Sequence, residues 1–113
     1  MELVISYGLH KREIHYKGMQ PIAISLTELS VLHQIMMSSI YLEANDIREK
    51  MVRLDITVTV EAIRQCISRL KRNIPYWDEI ISSDIRGNYA ARCRRREVQY
   101  KLLCHTSVEY QLW

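Results

Sequence analysis

The sequence predicts an α+β fold in which a basic amphipathic helix precedes a basic β-hairpin. A helix is indicated over residues 60–72 because apolar side chains recur every three or four positions, which places them on one face of a helix: Ile63, Cys66, Ile67, Leu70 and Ile74. The opposite face carries side chains that bind phosphates and base edges: Arg64, Gln65, Ser68, Arg69, Lys71 and Arg72. The hairpin is indicated by a strand-like run from Ile80 through Arg86 to a Gly87-Asn88 turn. This order is the layout of a winged helix-turn-helix.

A small sheet is expected before the first helix. Alternating side chains predict strands over residues 3–9 and 13–19, and Lys17-Gly18 is a plausible turn. Gln20-Pro21 then begins an edge segment over residues 22–25. These segments predict an N-terminal antiparallel sheet.

Three helices are predicted from their start signals. Ser25-x-x-Glu28 is a capping box that opens a helix to about residue 37, and residues 40–42 form a possible short strand. Asp46-x-x-Glu49 is a second capping box, opening a helix to about residue 54. Either Thr57 or Thr59 can cap the third helix, which ends before Pro75 because proline disfavours helix at the preceding residue.

Three motifs resemble the OmpR/PhoB-type winged-helix DNA-binding domain, and its ToxR/CadC branch in particular. Ile67-Ser68-Arg69-Leu70-Lys71-Arg72 is similar to that family's recognition helix, and Ile85-Arg86-Gly87-Asn88-Tyr89 is similar to its wing. Ile24-Ser25-Leu26-Thr27-Glu28-Leu29 is similar to the opening of its first helix. The resemblance covers roughly residues 20–90 and implies a bacterial DNA-binding domain with an N-terminal sheet, three helices and a C-terminal β-hairpin wing.

The chain departs from the family pattern at three places. The wing is one residue shorter than the family's Arg-Gly-x-Gly-Tyr and lacks its second glycine. Residues 51–54 stand where an aromatic residue is expected near the end of the second helix, and the segment after Tyr89 has no counterpart in the family core. Residues 1–91 are therefore expected to form the domain, and residues 92–113 a basic and apolar extension that packs on the domain or on a partner.

Double-stranded DNA is the expected partner. Major-groove insertion of the third helix would bring Arg64, Gln65 and Ser68 to base edges. Backbone phosphates are the expected partners of Arg69, Lys71 and Arg72, and the resemblance implies that Arg86 and Asn88 contact the minor groove. One such domain would hold a half-site weakly, so a dimer or a tandem arrangement on DNA is expected.

Charge is distributed unevenly along the 113 residues. Residues 1–63 carry six Lys and Arg against eight Asp and Glu, whereas residues 64–101 carry ten against four. Such asymmetry suggests that the basic half of the chain, residues 64–101, binds a polyanion such as nucleic acid. The basic cluster from Arg92 to Arg96 could enlarge the surface that contacts DNA. With 48% hydrophobic residues and no long apolar run, the chain is expected to fold as one cytoplasmic domain, membrane-anchored only if the native chain continues beyond Trp113.

Neither a metal site nor an enzyme is indicated, and no cofactor is expected. The three cysteines are widely spaced without a Cys-x-x-Cys motif; Cys66 is expected to be a buried hydrophobe, and Cys93 in the arginine cluster could be a thiol sensor. No motif places a nucleophile beside a base, so no catalytic residue is assigned. The alternative function is a winged-helix interaction module that binds a regulatory protein or a second copy through the apolar C-terminal tail.

Overall fold

The computed structural model describes residues 2–7, 11–87 and 96–110, which form four helices and two small sheets. The helices are α1 (Leu26–Met36), α2 (Ala44–Val52), α3 (Val60–Asn73) and the one-turn α4 (Trp77–Ile80). The strands are β1 (Glu2–Tyr7), β2 (Arg12–Tyr16), β3 (Ile22–Ala23), β4 (Leu42–Glu43), β5 (Ile81–Gly87), β6 (Arg96–Leu102) and β7 (His105–Tyr110). The predicted α+β class is confirmed.

The first sheet has four strands in the order β3-β2-β1-β7. Strands β1, β2 and β3 form the antiparallel arrangement predicted from the sequence, with Ile5 opposite Ile14. The predicted Lys17-Gly18 turn is confirmed, because these residues adopt φ angles of 50° and 70° and Met19 N donates to Tyr16 O at 2.8 Å. The turn ends β2 at Tyr16, so the prediction that this strand continues to residue 19 was wrong. The sheet as a whole is mixed, however, since β7 pairs with β1 in the parallel sense.

The second sheet has three strands in the order β4-β6-β5, and β5 and β6 form the hairpin. Its register pairs Ile81 with Leu102 and Gly87 with Arg96. Gly87 is still paired, so it belongs to β5 and not to the turn predicted at Gly87-Asn88, while Asn88 lies outside the described part of the chain. A domain boundary at residue 91 falls between the two strands of this hairpin.

Side-chain caps set the beginnings of the helices. The predicted α1 box is confirmed, because Ser25 Oγ accepts from Glu28 N at 3.1 Å and the Glu28 carboxylate accepts from Ser25 N. The predicted start of α2 was wrong by a few residues: Asp46 Oδ2 accepts from Glu43 N at 3.0 Å, so Asp46 lies inside the first turn. Strand β4 runs directly into α2, so Glu43 is both the last residue of the strand and the N-cap of the helix. Thr59, and not Thr57, caps α3 through a 3.0 Å bond from Ala62 N.

The sequence predicts a strand that begins at Ile80, but Ile80 ends the short helix α4 and the strand begins at Ile81. Trp77 and Ile80 both point into the core. Just before α4, the Tyr76 ring stacks on Tyr16 of β2 with 4.8 Å between the centroids. The segment that follows α3 is thereby packed against the four-stranded sheet.

One hydrophobic cluster joins the two sheets and the helices. It includes Leu3 and Ile5 of β1, Leu32 of α1, Ile47 of α2 and the inner face of α3, all fully or almost fully buried. Helices α1, α2 and α3 contact one another pairwise. Because α3 is held from its inner side, its polar face is turned away from the core.

Candidate nucleic-acid interface

Helix α3 separates apolar and polar side chains as the spacing predicted. Ile63, Cys66, Ile67 and Leu70 form its buried face, and Ile74 is buried just beyond its end. Burial of a large aliphatic side chain contributes about 1.5–3 kcal/mol, so this face fixes the rotation of the helix about its axis. The orientation of the polar face thus follows from the core.

The predicted DNA-contacting side chains of α3 lie together on its outer side. Gln65, Ser68, Arg69, Lys71 and Arg72 are exposed, and Arg64 is half-buried. An open groove along the helix is lined by five of these residues together with one acidic residue: Glu61, Arg64, Gln65, Ser68, Arg69 and Arg72. Lys71 is exposed but does not line this groove.

Glu61 is the residue of this groove that the sequence interpretation missed. Its Oε2 lies 3.8 Å from Nη1 of Arg64, one turn further along α3. The side chains are 67% and 38% exposed, so solvent screens the pair and its contribution to stability is small. The spacing of Glu61 to Arg64 and Gln65 could have placed it on this face, since residues three and four apart are neighbours on a helix.

Arg69 reaches back toward the buried side of its own helix. Its Nη2 donates a hydrogen bond to Sγ of Cys66 at 3.2 Å. Cys66 is a free thiol that is almost completely buried, as predicted, and burial raises its pKa although the Arg69 charge acts in the opposite direction. Burial likewise raises the pKa of the half-buried Cys104 thiol, while Cys93 lies outside the described residues.

The structure describes only part of the hairpin that was predicted to contact DNA. Arg86 is a residue of β5, and its strand position lies opposite Glu97 of β6. Asn88 and Arg92 to Arg95 lie outside the described residues, as does the segment 111–113. The structure therefore brings together the six predicted α3 residues, and it locates the hairpin strands that follow them.

The electrostatics of the α3 face favour an anionic ligand. Four basic residues share this helix with a single acidic one, and Lys71 and Arg72 lie in its last turn. Guanidinium and ammonium groups bind phosphate oxygens, whereas Gln and Ser can also exchange hydrogen bonds with base edges. The same face therefore combines charge for affinity with groups that can distinguish bases.

Within residues 2–7, 11–87 and 96–110, no group of three or more His, Cys, Asp or Glu side chains is arranged to hold a metal ion. In that part of the chain no helix has both the length and the apolar character needed to cross a bilayer.

Comparison with protein families, characterised proteins and solved structures gives no match for this chain.

Proposed function

We propose that this chain is a sequence-specific DNA-binding transcriptional regulator that inserts α3 into the major groove. The observation that carries the proposal is the outer face of α3, where Arg64, Gln65, Ser68, Arg69 and Arg72 line one open groove. The core holds the opposite face of α3, so this groove is presented outward on a rigid element. An α-helix fits the major groove of B-DNA, and its polar side chains then reach bases and phosphates.

The order of the elements supports a winged helix-turn-helix. Helices α1, α2 and α3 contact one another, β4 lies between α1 and α2, and the β5–β6 hairpin follows α3. Strand β4 joins that hairpin in one three-stranded sheet. On this interpretation the hairpin is the wing, and Arg86 and Asn88 contact the minor groove, as the OmpR/PhoB resemblance implies.

The α3 residues then divide into two roles. Arg64, Gln65 and Ser68 occupy the first two to three turns, where a recognition helix contacts base edges, and Arg and Gln favour guanine and adenine respectively. Arg69, Lys71 and Arg72 neutralise backbone phosphates, which sets affinity and salt dependence.

A protein-interaction module is the second candidate function, and exposed apolar side chains favour it. Met37 and Ile40, in the connection between α1 and β4, are 71% and 66% exposed, and Leu54 after α2 is 59% exposed. Such a module would bind its partner by burying apolar area. Its affinity would depend little on salt, whereas each phosphate contact makes DNA binding salt-dependent.

Fluorescence anisotropy of a labelled random-sequence duplex, titrated with the purified chain at several salt concentrations, tests the proposal. We expect binding that weakens linearly on logarithmic axes of affinity against salt, with a slope of about −0.9 per phosphate contact. A randomised duplex pool should then yield an enriched site. Absence of binding even at low salt would overturn DNA binding by this chain and favour a protein partner.

A further inference from the structure

Glu61 is the only acidic residue among those that line the α3 groove within the described part of the chain. It lies in the first turn of α3, beside Arg64 and on the same outer face. The first turn of a recognition helix usually lies deepest in the major groove of DNA, so a carboxylate here would face base edges rather than open solvent.

Glu61 lies in the first turn of α3, where a carboxylate interacts favourably with the helix dipole, but its ion pair with Arg64 adds little stability. The Glu61–Arg64 pair spans 3.8 Å between two solvent-accessible side chains, and such pairs are screened. Near DNA the same carboxylate would be repelled by phosphates. It becomes favourable only where it meets a hydrogen-bond donor, and in the major groove cytosine presents such a donor at N4.

We infer that Glu61 is a specificity-determining residue that selects a cytosine next to the base contacted by Arg64; this inference rests on the proposed DNA-binding function. Side chains at positions i and i+3 of a helix lie about 5–6 Å apart at Cβ. Successive bases along a strand are separated by about 3.4 Å, so Glu61 and Arg64 face neighbouring base pairs. The Glu61 carboxylate accepts from cytosine N4–H, and the Arg64 guanidinium donates to guanine O6 and N7.

The same carboxylate opposes binding to other sequences. Where no donor is present, the Glu61 carboxylate is repelled by the phosphates, and its pairing with Arg64 weakens the attraction of that guanidinium for DNA. Glu61 thus lowers affinity for random DNA more than affinity for a site that contains the cytosine, and discrimination arises from this difference.

Selection from a randomised duplex pool, with wild type and Glu61→Gln compared in parallel, tests the inference. Gln keeps the size of the side chain but removes its charge, and its amide favours adenine. We expect the wild type to enrich a cytosine that Glu61→Gln loses or replaces by adenine, together with a severalfold rise in affinity for random DNA. Glu61→Ala should lose the cytosine preference without gaining one for adenine.

Glu79→Gln is the matched control, since Glu79 also forms an exposed ion pair, with Lys17 at 3.3 Å, but lies in α4. It should select the same sequence as the wild type. If Glu61→Gln also selects the wild-type sequence and binds random DNA with unchanged affinity, the role of Glu61 is overturned while DNA binding stands. If the wild type neither binds nor enriches any duplex, the proposed function is overturned along with it.

Discussion

Arg69 donates a hydrogen bond from Nη2 to the buried Sγ of Cys66, 3.2 Å away and three residues earlier on α3. The bond joins the outer face of the helix to its inner face. Cys66 lies in the core beside Ile63 and Ile67, so the guanidinium is held close to the helix surface instead of extending freely into solvent. A phosphate contacting Arg69 would therefore be bound close to the axis of α3.

Stability is expected to fall as the pH rises above about 9. Burial raises the pKa of both Cys66 and Cys104 above their ordinary value of 9.0, so the folded chain retains these protons at pH values where the unfolded chain has lost them. The contribution is complete below the unfolded-state pKa and is lost as the pH rises through the folded-state pKa. Urea unfolding under reducing conditions between pH 7.5 and pH 10 measures it.

A Cys66→Ala, Cys104→Ala double variant should lose less stability over that alkaline range than the wild type. Some decrease should remain, because burial also raises the pKa of Tyr76. An identical pH dependence in wild type and double variant would contradict this assignment.

Thr59→Ala should destabilise the chain by about 0.5–2 kcal/mol, since it removes the side chain that accepts from Ala62 N at the start of α3. Thr57→Ala is the matched control: Thr57 is exposed and does not cap the helix, so its change should stay within about 0.5 kcal/mol. Urea unfolding at neutral pH compares the two variants. If both variants lost the same free energy of unfolding, the hydrogen bond from Ala62 N to Thr59 would not contribute to stability.

Arg64→Ala should reduce discrimination between a selected site and random DNA by about 1–3 kcal/mol, because the variant would lose the bidentate contact to guanine that we propose for Arg64. Competition binding gives the ratio of the two affinities. Arg48→Ala is a suitable control, since Arg48 likewise bonds within its own helix, through Nε to Oδ1 of Asn45. Equal losses on both DNAs would restrict Arg64 to backbone contacts.

Replacing Lys71 and Arg72 by Gln should make the dependence of log affinity on log salt shallower by about 0.9 for each phosphate contact removed. Discrimination between sequences should change little. The control removes the same charge from the first sheet region, with Lys11→Gln and Lys17→Gln, both exposed. A slope altered equally in both double variants would indicate a general charge effect and not a contact surface on α3.

Patterns within one element predicted the structure well. The apolar spacing of α3 correctly gave its buried face, since a helix core is determined by neighbours three and four residues away. Ser25 and Glu28 likewise marked the start of α1 through a local exchange of hydrogen bonds.

Features that depend on distant partners were not predictable in this way. Asp46 has the sequence signature of a cap, but pairing of β4 with β6 moves the start of α2 ahead of it. The pairing of β7 with β1 and the register of Gly87 with Arg96 likewise join residues whose spacing along the chain contains no signal for each other. Glu61 was overlooked because a lone carboxylate in the first turn of a helix also fits ordinary dipole stabilisation.

The parallel pairing of β1 with β7 joins the first and last strands of the described chain. Val4 lies opposite Ser107 and Ile5 opposite Val108, so closing this pair orders a loop that contains all four helices. Such long-range closure is slow unless the intervening chain has already become compact. The helices and the β5–β6 hairpin are therefore expected to form before β7 pairs with β1. Pairing of β7 would then be the last step of folding, and it would make the first sheet and the helices fold and unfold cooperatively.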